Sequence, residues 1–91
     1  MSKIARRYTI RGRVQGVGFR WFVEVAAQEI GVTGWVRNLD DGRVEVYAVG
    51  DKAQLEQLNG RLWRGPMWSD VRGVEVMEAP VEKRAGFRIT T

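Results

Sequence analysis

The segment RRYTIRGRVQGVGFR, residues 6–20, changes character part-way along, and that change organises the reading of the whole chain. Residues 6–13 alternate, with Tyr8 and Ile10 on one side and Thr9 and Arg11 on the other, as in a strand with one buried face. GRVQGVGFR, residues 12–20, then turns into a glycine-bearing loop that delivers an arginine to a helix start. Gly16 and Gly18 permit backbone angles at which successive N–H groups converge, and they carry no side chain to keep an anion from the main chain. The segment reads as strand, anion cradle, helix.

From Arg20 onward the spacing becomes helical. Phe22, Ala26 and Ile30 recur about one turn apart, Val23 widens the stripe, and Gly31 is placed to end a helix over 20–30. Residues 33–39 and 43–49 are β-rich and separated by Asp40, Asp41 and Gly42, a strong hairpin signal. Asp51 then caps a second helix in which Gln54 completes a capping box and Leu55, Leu58 and Leu62 form the apolar stripe. Gly65-Pro66 stops it. Val71, Val74 and Val76 predict a fourth strand despite Gly73, and residues 87–90 a short fifth segment.

The order is βαββαβ plus a tail strand. It predicts an α+β, ferredoxin-like two-layer sandwich with both helices on one face of an antiparallel sheet. At 91 residues the chain has the length of one domain, 1–91, with no internal repeat or linker. A strand–helix–strand crossover makes strands one and two run the same way, so their far ends share a rim. The glycine loop and Asn38 are therefore expected side by side.

Composition narrows the chemistry. Lys plus Arg total 15 against 11 Asp plus Glu, a net charge of +4 that favours anionic partners, either nucleic acid or small phosphorylated molecules. With no cysteine and no histidine, a disulfide framework, a thiolate nucleophile, a phosphohistidine and a conventional zinc site are all excluded. The start, MSKIARRYTI, lacks a signal-like apolar run, and nowhere do about 18 uninterrupted apolar residues occur. A soluble cytoplasmic protein is expected.

Main-chain N–H groups of Gln15, Gly16, Val17, Gly18, Phe19 and Arg20 would point inward if the loop curls, reinforced by the positive end of the helix. Arg20 adds a planar, permanently charged fork matched to two phosphate oxygens. Asn38 offers an acceptor and a donor suited to orienting a water molecule. Each also has a plainer reading: the loop as a connection, Arg20 as a solvated helix-start residue, Asn38 as a turn former. Trp21, Trp35, Trp63 and Trp68 are read as core and loop packing rather than stacking platforms for bases. The loop breaks the aromatic pattern of an RNA-binding strand and lacks the Gly-Lys-Ser/Thr of a nucleotide-binding loop.

Taken together, IRGRVQGVGFR (10–20) and GWVRNLDDGRVEVYAVG (34–50) closely resemble the two signature segments of the acylphosphatase family. The match takes in Gly12, Val14, Gln15, Gly16, Val17, Phe19 and Arg20 in the first segment, and Gly34, Trp35, Asn38, Gly42, Val44 and Gly50 in the second. Gly65-Pro66, Phe87 and Ile89 extend it over nearly the whole chain. Gly18 departs from relatives that carry serine, cysteine or another small side chain there, and Leu39 from members with a hydroxyl residue after the asparagine.

The resemblance implies hydrolysis of an acyl phosphate to a carboxylate and inorganic phosphate. It assigns phosphoryl binding to the loop from Gln15 to Arg20, an essential role to Arg20, and the hydrolytic water to Asn38. It implies no metal, no cofactor, no nucleic acid and no membrane partner, and a monomer is expected. The competing reading is a non-catalytic ferredoxin-like module whose basic surface binds RNA or a protein.

Overall fold

The computed structural model describes residues 2–91. Strand β1 (Ile4–Arg13) leads through the glycine loop into helix α1 (Phe19–Ile30), followed by β2 (Thr33–Asn38) and β3 (Val44–Gly50). Helix α2 (Lys52–Arg64), β4 (Asp70–Ala79) and β5 (Phe87–Ile89) complete the chain. The strands form one five-stranded sheet in the order β4-β1-β3-β2-β5.

The alternation read in β1 is a burial pattern. Tyr8 and Ile10 are completely buried, and they meet Val36, Val44, Val46 and Ala48 from neighbouring strands under Val23 and Ala27 of α1 and Leu55, Leu58 and Leu62 of α2. Both helices therefore cover the same face. Tyr8 takes its hydroxyl into this core, where it donates to the Leu55 carbonyl at 3.1 Å and ties the sheet to α2. Burial pushes the Tyr8 hydroxyl above its ordinary pKa of 10.0, with nearby Arg6 opposing the shift.

Helix ends follow the local chemistry. Asp51 accepts from the Gln54 N–H at 2.8 Å while the Gln54 side chain accepts from the Asp51 N–H at 2.9 Å, a complete capping box. Gly31 closes α1 by donating its N–H to the Ala27 carbonyl at 2.8 Å. No helix is long and apolar enough to cross a membrane among the described residues.

The sheet corrects one expectation. β1 pairs antiparallel with β3 and β4, and β2 antiparallel with β3, but β5 lies parallel to β2 with Val36 opposite Ile89. The sheet is mixed rather than antiparallel throughout, because the chain crosses the outer face of the sheet before returning to the β2 edge. The Tyr47 hydroxyl holds that crossing segment, donating to the Pro80 carbonyl and accepting from the Glu82 N–H, both at 2.7 Å.

Since β1 and β2 are each antiparallel to β3, they run the same way. The loop leaving β1 and Asn38 at the end of β2 consequently stand on one rim.

Candidate active site

The loop between β1 and α1 is pinned at both ends and open in the middle. Val14 and Phe19 are buried in the core and Val17 packs partly against it, whereas Gly16 and Gly18 are exposed. Gly16 has φ +75 and Gly18 φ +80, and a methyl group at either position would meet nothing within 4 Å. Conformation rather than space thus demands glycine there: an L side chain in the left-handed region is strained even where there is room. Gly16 and Gly18 stand left-handed on either side of Val17, whose φ is not positive.

Helix α1 begins directly on this loop. Gly18 is its N-cap and has no side chain to cap with, and the first turn holds no acidic residue. The first loop-to-helix bond is Phe22 N–H to the Gly18 carbonyl at 3.0 Å, which leaves the amides of Phe19, Arg20 and Trp21 without a helical carbonyl. Unpaired donors and the positive end of the helix point at the same place.

Gly16, Gly18, Phe19, Arg20 and Asn38 line one cleft of about 240 Å³, together with Val14, Trp21 and Ile89. Arg20, like Arg6, Arg11, Arg13, Arg64 and Arg88, meets no carboxylate within 4.0 Å among the described residues, and of these only Arg20 lines the cleft. Its guanidinium charge is left to the cleft. The Asn38 Oδ1 is buried and has no hydrogen-bond partner in the protein. A buried acceptor without a donor costs about 1–3 kcal/mol, and Asn59 Oδ1 on α2 is in the same state.

Gln15 and Val17, expected to contribute to the same binding surface, are not part of the cleft wall. Gln15 instead sends its side chain across to the β2–β3 turn, where Nε2 donates to the Leu39 carbonyl at 2.8 Å and the Arg43 carbonyl at 2.9 Å. Leu39 follows Asn38 directly, so this amide braces the loop against the hairpin that carries Asn38. The hairpin closes through Leu39 N–H to the Arg43 carbonyl at 2.8 Å and Gly42 N–H to the Leu39 carbonyl at 3.2 Å. Asp41 caps its turn, accepting from the Arg43 N–H at 3.1 Å and Nε at 2.7 Å. Those contacts, the backbone one foremost, hold its carboxyl below the ordinary 3.8.

The tryptophans divide: Trp35 packs as expected, and the other three lie toward solvent. Trp35 stacks on Tyr47 with 5.8 Å between ring centroids and carries the Arg37 guanidinium 5.2 Å from its own ring, on the outer face of the sheet. Trp21 and Trp68 are 66% and 78% exposed, and Trp63 is half-exposed, so none of these three is core. Helical phase explains Trp21: two residues on from buried Phe19, it lies nearly opposite the stripe of Phe19, Val23 and Ala26.

A model of the family described as acylphosphatase matches residues 6–89. The chain belongs to the acylphosphatase family. A relative named acylphosphatase from Solibacter usitatus (strain Ellin6076) is 60% identical over 85 residues, covering 93% of this chain and 88% of its own. The crystal structure of acylphosphatase from Bacillus subtilis superposes with a TM-score of 0.94 at 38% identity, covering 97% of this chain and 99% of that one. The same fold occurs within full-length HypF, solved in a phosphate- and nucleotide-bound form, with a TM-score of 0.88 and 28% identity over 99% of this chain and 12% of that one. As an acylphosphatase the protein is a hydrolase, with an acyl phosphate as the substrate that the family implies.

Proposed function

We propose that this acylphosphatase hydrolyses the carboxyl–phosphate bond without a metal ion, using main-chain amides, Arg20 and a water held by Asn38. The amides of the cleft-lining residues Gly16, Gly18, Phe19 and Arg20 receive the phosphoryl oxygens, and the Arg20 guanidinium adds a bidentate, charged contact. The observation that carries this reading is the meeting of Asn38, Arg20 and the two left-handed glycines in one cleft. The Asn38 carboxamide would hold a water at the cleft wall with a lone pair free for phosphorus.

The chemistry needs little more. Water oxygen bonds to phosphorus as the bond from phosphorus to the acyl oxygen breaks, and the carboxylate departs with the bonding pair. A carboxylic acid has a pKa of about 4, so the leaving group requires no protein acid. The water proton passes to a phosphoryl oxygen of the substrate, which yields inorganic phosphate. Positioning and fixed positive charge are then the main catalytic contributions.

Hydrolysis of benzoyl phosphate by the wild type, Arg20→Lys and Asn38→Ala, with folding checked for each, tests the assignment. Both variants are expected to lose most turnover while retaining their melting temperature. Undiminished turnover in both would remove the assigned roles, and activity abolished by a chelator and restored by magnesium would contradict the metal-free scheme.

A further inference from the structure

The cleft has a polar floor and an apolar rim. Val14 and Phe19 are buried within it, which leaves Trp21, 66% exposed, and Ile89, 38% exposed, as its accessible apolar surfaces. Trp21 stands in the first turn of α1, and side chains there lean toward the helix N-terminus, here toward Gly18 and the glycine loop. Its ring belongs to neither group of packed core residues. A large indole is thus left mostly in water beside the cleft.

Volume decides what the rim does. At about 240 Å³ the cleft falls below the 300–1,000 Å³ typical of pockets that enclose drug-sized ligands. A phosphoryl group on the loop amides takes up the floor, and the acyl substituent follows the phosphorus by only a bridging oxygen and a carbonyl carbon. The substituent must therefore leave across the rim, within reach of the Trp21 ring.

We propose that Trp21, with Ile89, forms the acyl subsite, and that it selects acyl phosphates whose acyl group is flat and apolar over small or charged ones. This rests on the hydrolytic reading given above. An arene stacks on the indole face and removes apolar surface of both rings from water, whereas an acetyl group covers little of it. A second carboxylate on the acyl group would lie against the indole with Arg20 already engaged by phosphate, and it is selected against.

The test is steady-state hydrolysis of benzoyl phosphate and acetyl phosphate by the wild type, Trp21→Ala and Trp21→Phe, with competitive inhibition by inorganic phosphate. Comparing the ratio of kcat/KM for the two substrates between variants cancels their intrinsic reactivities. In Trp21→Ala the benzoyl-to-acetyl ratio should fall about five- to tenfold, the size expected of one aromatic pair, and Trp21→Phe should keep most of it. Inhibition by inorganic phosphate, which has no acyl group, should move by less than about twofold on the same scale. A ratio unchanged in Trp21→Ala, or equal losses on both substrates, overturns the subsite while leaving hydrolysis in place. A wild type that cleaves neither substrate overturns the hydrolytic reading itself.

Discussion

On the outer face of the sheet, Glu45 accepts from Arg37 at 2.7 Å with Arg7 at 3.5 Å, and the Tyr47 hydroxyl both donates and accepts. In the cleft at the rim, Asn38 Oδ1 has no partner, Arg20 faces no carboxylate, and the first amides of α1 meet no helical carbonyl. The same chain thus completes its polar contacts in one region and withholds them in another. Satisfied groups hold a sheet together, and unsatisfied ones are what a reacting phosphate can use. Preorganised donors of this kind need no rearrangement when charge develops on the phosphoryl oxygens.

The contrast breaks most visibly at its charged members. Arg20→Ala is expected to lower kcat/KM for benzoyl phosphate by about 3 kcal/mol or more, by analogy with loss of an oxyanion donor, with a change in unfolding free energy within about 0.5 kcal/mol. Arg37→Ala, on the outer face, should do the reverse: a small loss in denaturant stability and unaltered kinetics. Comparable kinetic losses in both would erase the distinction between the regions.

Gln15 lies between the two behaviours, because its side chain is satisfied while its loop forms the cleft. Gln15→Leu should reduce kcat about ten- to a hundredfold through displacement of Asn38 relative to the loop, with inhibition by inorganic phosphate little changed. A variant that loses stability but keeps its kcat would show that the hairpin places Asn38 unaided. Tyr47→Phe sharpens the structural side: the two bonds to the crossing segment are lost, at a cost of about 1 kcal/mol in urea unfolding with hydrolysis intact.

The smallest expected effect belongs to Asp41. Its folded pKa is depressed, so the unfolded chain binds more protons as the medium acidifies, and the stabilising contribution present above the ordinary 3.8 disappears as pH falls through the folded value. Acid unfolding of the wild type should therefore be slightly steeper than that of Asp41→Asn, measured by circular dichroism. Identical acid profiles would mean that Arg43 gives the turn no net support through this carboxylate.

Elements with a local cause were legible in the sequence. The Asp51–Gln54 capping box, the Gly31 stop and the Asp-Gly hairpin depend on neighbouring residues, and all three appear in the structure. The adjacency of Asn38 to the glycine loop was legible too, because the crossover rule made two strands parallel before any side chain was considered. What escaped was set by distant partners. The parallel seat of β5 depends on a crossing segment with no periodicity, and the brace from Gln15 joins residues 24 and 28 positions apart. Reading the four tryptophans together as core and loop packing hides a difference at Trp21, whose phase relative to Phe19 and Val23 places it outside the core.

The short β5 strand has one more effect. It occupies the side of β2 that would otherwise be an open edge, with Thr90 N–H on the Val36 carbonyl at 2.9 Å and Gly34 N–H on the Gly86 carbonyl at 3.0 Å. A bare strand edge is a template onto which another molecule can add its own backbone. These last few residues therefore act as a stopper, keeping the strand that ends in Asn38 from recruiting a second copy into a growing ribbon.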